Sequence, residues 1–150
     1  MSDNLASLYL ENQLCFPLYA ASRLTTKIYT PFLNELDITY PQYLVLMILW
    51  QHPEQTVNEI GKKLLLESNT LTPLLKRMEQ KDLIQRTRSK NDERSVVVTL
   101  TEKGFSMRSQ ALSIPQKIAK SFQDESISKE EVSVFKGTLD KLLGILASKV

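Results

Sequence analysis

Residues 68–100 constrain this chain more than any other stretch. The segment opens with SNTLTPLLKRMEQK, which reads as a helix with one polar face. Two short strand patterns follow at once, LIQRTR and SVVVTL, joined by the charged tip SKNDER. A helix sized for a major groove, followed directly by a cationic β-ribbon, fits the reading of double-stranded DNA. The helix exposes polar side chains to base edges while the ribbon reaches phosphates or the adjacent minor groove. The rest of the chain then reads as scaffold, dimer surface or switch.

Charge supports that reading by its distribution. The net charge is only +2. Residues 76–94, however, hold seven Lys/Arg against four Asp/Glu, whereas residues 1–75 hold four against seven. Positive excess is densest where an anion-binding surface would sit. At 150 residues and 42% hydrophobic, the chain is expected to form a single domain, 1–150, with a real core. The start carries Asp3 and Glu11 and lacks a basic lead before an apolar run, so no signal peptide is expected. No apolar run approaches the ~18 residues of a membrane span. One cysteine rules out an intrachain disulfide, and a reducing cytoplasm is the expected location.

Periodicity then places the elements. Residues 1–11 read as a loose lead-in. Helical spacing runs from about Asn12 to Leu36, starting or bending near Pro17 and breaking again at Pro31. A helix over Pro41–Gln51 ends at His52-Pro53. Thr56-Val57-Asn58-Glu59 is a capping box opening a short helix to about Leu65. Ser68 or Asn69 caps the next helix, which runs to about Lys81. After the hairpin, Thr101 caps a long amphipathic helix to about Gln123, bent at Pro115. Ser128-Lys129-Glu130-Glu131 is a second capping box, opening a last helix with Val132, Phe135, Leu139, Leu142, Leu143 and Leu146. The expected fold is mainly α with a small β-hairpin wing, an α+β winged helix-turn-helix centred on residues 39–101. The flanking helices, 12–36 and 102–148, carry apolar faces that a symmetry mate would cover.

The D-x-R tip at Asp92-Glu93-Arg94, the helix S-x-T-L-T-P-L-L-K-R-M-E and the terminal helices together resemble the MarR family of dimeric winged-helix repressors. The resemblance covers nearly the whole chain. Asn12-Gln13-Leu14-Cys15-Phe16-Pro17-Leu18-Tyr19, then Ser22-Arg23, Tyr29 and Thr39-Tyr40-Pro41-Gln42-Tyr43, resemble the organic-hydroperoxide-responsive branch. That resemblance implies a homodimer that grips a palindromic operator when reduced and releases it on oxidation. Having one cysteine, this chain is similar to the members whose oxidised thiol is captured by a small external thiol.

The residues give this chemistry independent footing. Peroxides oxidise thiolates, and Cys15 sits near a helix start, where unpaired N–H groups favour an anion. Tyr19 is one turn on; Tyr29 is fourteen residues on, roughly 21 Å along one helix, and reaches Cys15 only across a two-fold axis. Tyr19, Tyr29 and Tyr40 are the candidate donors to the thiolate. Leu14, Phe16 and Leu18 make the approach greasy, suiting organic hydroperoxides. Ser68, Asn69, Thr70, Thr72 and Pro73 are the candidate base-edge contacts, Lys76 and Arg77 the phosphate or guanine contacts. Arg86, Arg88, Lys90 and Arg94 form the wing, with Asp92 orienting Arg94 into the minor groove, as the resemblance implies.

Other readings remain open at this level. Cys15 as a small buried hydrophobe leaves a repressor responsive to a small phenolic or other ligand. A thiol peroxidase needs a base beside Cys15 and a resolving thiol, and neither is patterned here. One cysteine and one histidine do not make a conventional zinc site, so no metal and no cofactor is expected.

Overall fold

A computed structural model describes residues 4–150, so the expectation resting on Asp3 lies outside the described residues. The chain falls into two compact units, Met1–Tyr40 and Pro41–Val150.

In the first unit the expected loose lead-in is replaced by two 3-10 turns, Leu5–Leu8 and Leu10–Asn12. Two amides lock them. The Asn12 side chain donates to the Ala6 carbonyl at 2.6 Å. The Gln13 amide donates to the carbonyls of Ser7 at 2.7 Å and Tyr9 at 2.9 Å. Helix α1 spans Cys15–Asn34, with Pro17 in its first turn as expected. The expected break at Pro31 does not occur: α1 runs through it. The proline lies in the last turns of the helix, so few bonds depend on it. The hydroxyls of Thr26 and Thr30 also donate to carbonyls one turn back, those of Ser22 and Thr26. Asp37, at φ 54°, then turns the chain, and the Ile38 N–H closes onto the Leu33 carbonyl. Leu33 is the buried residue of α1.

Helix α2, Tyr40–Gln51, carries the chain into the second unit and buries Tyr43, Val45, Leu46 and Leu49. A strand that periodicity missed follows: β1, Glu54–Thr56. The Thr56 box opens α3, Val57–Leu64, with both reciprocal hydrogen bonds made. Leu65 closes α3 in the left-handed region at φ 55°. Helix α4 is Ser68–Gln80, and its N-cap is Glu67, not Ser68 or Asn69. The Glu67 carbonyl already accepts from Thr70 and Leu71 N–H, which places Ser68 inside the first turn. Strands β2, Ile84–Arg88, and β3, Val96–Leu100, form the hairpin, and β1 joins its far side. The sheet is antiparallel in the order β1-β3-β2, with Val98 opposite both Gln55 and Arg86. Ile60, Leu71, Leu75, Met78 and Val98 are fully buried. Each such side chain contributes ~1.5–3 kcal/mol.

The expected long helix to Gln123 is two helices, α5 (Glu102–Ala111) and α6 (Ile114–Ser121). Pro115 cannot donate to a carbonyl one turn back, so the chain stops at Leu112-Ser113 and restarts with proline in its first turn. The Ser128 box opens α7, Lys129–Ala147, as expected. No residue of α7 is buried. Phe135, Leu143 and Leu146 are about half exposed, at 57%, 47% and 49%.

Candidate nucleic-acid interface and redox site

Helix α4 divides cleanly by periodicity. Leu71, Leu74, Leu75 and Met78 are buried, while Ser68, Asn69, Thr70, Thr72, Pro73, Lys76 and Arg77 are all exposed. The apolar stripe fixes the helix to its unit, so the polar stripe is presented outward as one rigid surface. Its N-terminus has no side-chain cap hydrogen bond, which leaves first-turn N–H groups open to an anion.

The wing is ordered through its tip. Ser89 N–H donates to the Ser95 carbonyl at 2.8 Å, and Ser95 N–H to the Asp92 carbonyl at 3.0 Å. The Asp92 carboxylate accepts the Arg94 backbone N–H at 3.0 Å. Asp92 therefore sets Arg94 through the main chain, leaving the exposed guanidinium free to project. Arg88 and Lys90 are exposed as well. Arg86 differs from them. Its Nη2 donates to Glu79 Oε1 at 3.2 Å, and its backbone N–H to Glu79 Oε2 at 3.0 Å. These bonds, the side-chain one first, hold the Glu79 carboxyl below its ordinary value.

The base of the wing is tied to α5. Thr101 caps α5 by accepting the Gly104 N–H at 3.0 Å, and its hydroxyl donates to the Asp82 carbonyl. Thr101 N–H reaches the Leu83 carbonyl at 3.1 Å, and the Lys103 ammonium the Lys81 carbonyl at 3.0 Å.

Cys15 begins α1 and is exposed, so within one chain it is not a small buried hydrophobe. Leu14 and Phe16 beside it are exposed, at 71% and 43%. Tyr19 is exposed, with the Arg23 guanidinium 5.6 Å from its ring centre. Tyr29 and Tyr40 lie together, ring centroids 4.8 Å apart. Burial pushes the Tyr40 phenol above its ordinary value, so it remains an O–H donor through neutral pH. Because α1 is continuous, Tyr29 stands roughly 21 Å along the axis from Cys15. The structure gathers Tyr29 and Tyr40 but does not bring them to Cys15 of the same chain. Residues that sequence reasoning did not assign are Glu79, at the wing hinge, and Asn12 and Gln13, whose amides order the turn before Cys15. Among the described residues no group of three or more His, Cys, Asp or Glu is placed to hold a metal ion. No described helix is long and apolar enough to cross a membrane.

Comparison with known proteins decides the family. The family described as transcriptional regulator SarA/Rot matches residues 27–110. The organic hydroperoxide resistance transcriptional regulator of Bacillus subtilis is 48% identical over 149 residues, 99% of each chain. The chain belongs to the MarR-type winged-helix transcriptional regulators, in the organic-hydroperoxide branch. Among other members, the HTH-type transcriptional regulator SarZ of Staphylococcus aureus is 41% identical over 125 residues, 83% of this chain and 82% of SarZ. Reduced AbfR bound to DNA, a protein of Staphylococcus epidermidis, superimposes with a TM-score of 0.74 at 38% identity, covering 94% of this chain and 97% of AbfR. Overoxidised AbfR bound to DNA gives the same score, and its disulfide form gives 0.63. Members of this family are regulators, not enzymes.

Proposed function

We propose that this regulator is a homodimeric repressor that binds a palindromic operator when Cys15 is reduced and releases it once an organic hydroperoxide has oxidised that thiol. The observation that carries the reading is an exposed cysteine at a helix N-terminus, in a chain 48% identical to an organic hydroperoxide resistance regulator. The winged helix-turn-helix core, residues 39–101, is the DNA-binding part. Ser68, Asn69, Thr70, Thr72 and Pro73 face base edges, and Lys76, Arg77, Arg88 and Lys90 face phosphates. Arg94, set by Asp92, enters the minor groove. Residues 12–36 and 102–148 supply the dimer helices. A DNA partner and a lone thiol support a cytoplasmic location.

Tyr29 and Tyr40 of one protomer reach the partner's thiolate if the two α1 helices run antiparallel across the dimer axis; Tyr19 comes from the thiol's own helix. The hydroperoxide O–O bond breaks as sulfur takes one oxygen, giving a sulfenic acid and an alcohol. A small thiol then attacks that sulfur, forming a mixed disulfide and water. Packing that adduct into a tight interface costs ~1–3 kcal/mol, enough to shift two reading heads against a fixed half-site spacing. AbfR is seen on DNA even when overoxidised. This fits release driven by the bulk of the adduct rather than by added oxygen alone.

One operator titration tests this, using reduced and hydroperoxide-plus-thiol-treated protein and repeating both arms with Cys15→Ser. Release by the parent and retention by Cys15→Ser is expected. Retention by parent protein whose thiol is shown by mass to be a mixed disulfide overturns the reading. A second reading has one specific support: an apolar cavity of about 500 Å3 between the α3–α4 turn and the end of α7, lined by Val57, Leu65, Leu143 and Leu146. A small-molecule-responsive repressor would use such a space, and its Cys15→Ser variant would still release DNA on induction.

A further inference from the structure

We infer that Arg86 is not a DNA-contacting cation but one half of a strut, paired with Glu79, that sets the angle between recognition helix α4 and the wing. This rests on the DNA-reading assignment of α4 and Arg94 above.

Three observations converge. First, the guanidinium is turned inward. Its Nη2 is held by Glu79 Oε1 at 3.2 Å, and its Nε is buried with no hydrogen-bond partner. The Nε–Nη2 edge that would grip a phosphate in a bidentate way is therefore unavailable to DNA. The exposed wing residues Arg88, Lys90 and Arg94 have no such internal partner among the ion pairs described.

Second, the carboxylate binds at two points. While Oε1 takes the guanidinium, Oε2 takes the Arg86 backbone N–H at 3.0 Å. Strand β2 is an edge strand, and this amide faces away from β3. One side chain near the end of α4 thus fixes both the main chain and the side chain of the wing's first strand.

Third, the connection it spans is short. Only Lys81 to Leu83 separate α4 from β2, with Asp82 at φ 60° and Leu83 N–H returning to the Met78 carbonyl. A small rotation there would swing the wing tip, so a two-point brace across the hinge has leverage on where Arg94 arrives. Arg86 and Glu79 are thus positioning residues that act through Arg94.

The test is a double-mutant cycle in operator binding, read at several salt concentrations, using Glu79→Ala, Arg94→Ala and the pair. Electrostatics alone predicts that removing a carboxylate beside DNA tightens binding. The strut predicts the opposite: weaker binding by roughly tenfold, the order of one lost groove contact, with no loss of salt slope beyond that of Arg94→Ala itself. It also predicts coupling. Arg94→Ala costs about tenfold in the parent and less than about threefold when Glu79 is already Ala. Arg86→Gln keeps the backbone bond from β2 to Glu79, and so holds the sheet edge should Glu79→Ala fail to fold. It must show the same coupling, and in the Arg94→Ala background it must not cause the further loss of about one unit of salt slope that a phosphate contact of its own would give. Equal or tighter binding by Glu79→Ala, a full Arg94→Ala penalty in either background, or a further slope loss when Arg86→Gln is added to Arg94→Ala each overturns the strut. If Arg94→Ala costs nothing in the parent, the wing assignment itself fails and the strut's role fails with it.

Discussion

Gly104 shows how much a single missing methyl group decides. A Cβ built there would meet the Leu83 carbonyl oxygen at 2.1 Å, and that atom is backbone, which has no rotamer to yield. The same residue receives the Trp50 indole N–H on its carbonyl at 2.9 Å and gives its own N–H to Thr101. Gly104→Ala must push α5 off the hinge of the wing. It is expected to destabilise the protein by about 3 kcal/mol or more, measured as a drop in the urea or thermal midpoint. An unchanged midpoint would mean that this junction is looser than its hydrogen bonds indicate. Nothing in the sequence around Gly104 announces this, because the constraint comes from a carbonyl twenty-one residues earlier in the chain. Cys15 is the opposite case. Its neighbours carry the family motif, and its helix-start position could be read from Pro17 alone. The partners of Tyr29 are legible only in part: its ring meets Tyr40 in this chain, while the proposed approach to a thiol would need a second copy.

At the scale of elements, local chemistry was the reliable guide. Both capping boxes, at Thr56 and Ser128, formed with reciprocal bonds, because every group involved lies within four residues. The recognition helix sorted its faces as its periodicity required. What escaped was long-range or a matter of degree. Strand β1 is three residues of Glu, Gln and Thr, and only pairing with β3, more than forty residues later, makes it a strand. Proline was misjudged twice in opposite senses: Pro31 is carried inside α1, whereas Pro115 starts a new helix after a full break. The Glu79–Arg86 link was hidden because it joins a helix residue to a strand residue across a turn, and no local spacing rule covers that. It also gives the element a pH signature. Glu79 has its carboxyl lowered in the folded state, so the stability it contributes is complete above the ordinary carboxylate range. That contribution is lost as pH falls through the lowered value. Parent and Glu79→Ala should therefore differ in urea midpoint at pH 6–7 and draw together as pH falls below the ordinary carboxylate range. Curves that stay parallel over that interval would show that the ion pair adds nothing to the hinge.

For the whole molecule, the decisive fact is what one chain leaves uncovered. Helix α7 has a full capping box, a nineteen-residue length and not one buried residue. Its Phe135, Leu143, Ile145 and Leu146 are all about half exposed in the single chain. Helix α1 likewise exposes Phe16, Tyr19 and Leu24. A nineteen-residue helix is ~28 Å long, enough for one side of an interface in the 1,200–2,000 Å2 class of stable complexes. Exposed apolar faces of this size mark association surfaces, and a two-fold pair would also place two recognition helices against a palindrome. Phe135→Glu puts a charge in the middle of that face, and a dimer would bury it unpaired. Sedimentation at micromolar concentration should then find a monomer, with the parent a dimer. Losing the second reading head removes the gain from binding both half-sites at once, so operator affinity should fall by at least ~100-fold. Far-ultraviolet circular dichroism should stay close to that of the parent, since Phe135 is more than half exposed and no part of the buried core. A Phe135→Glu protein that remains dimeric and binds as the parent does would move the interface off α7, and with it the proposed geometry in which one protomer's tyrosines reach the other's thiol.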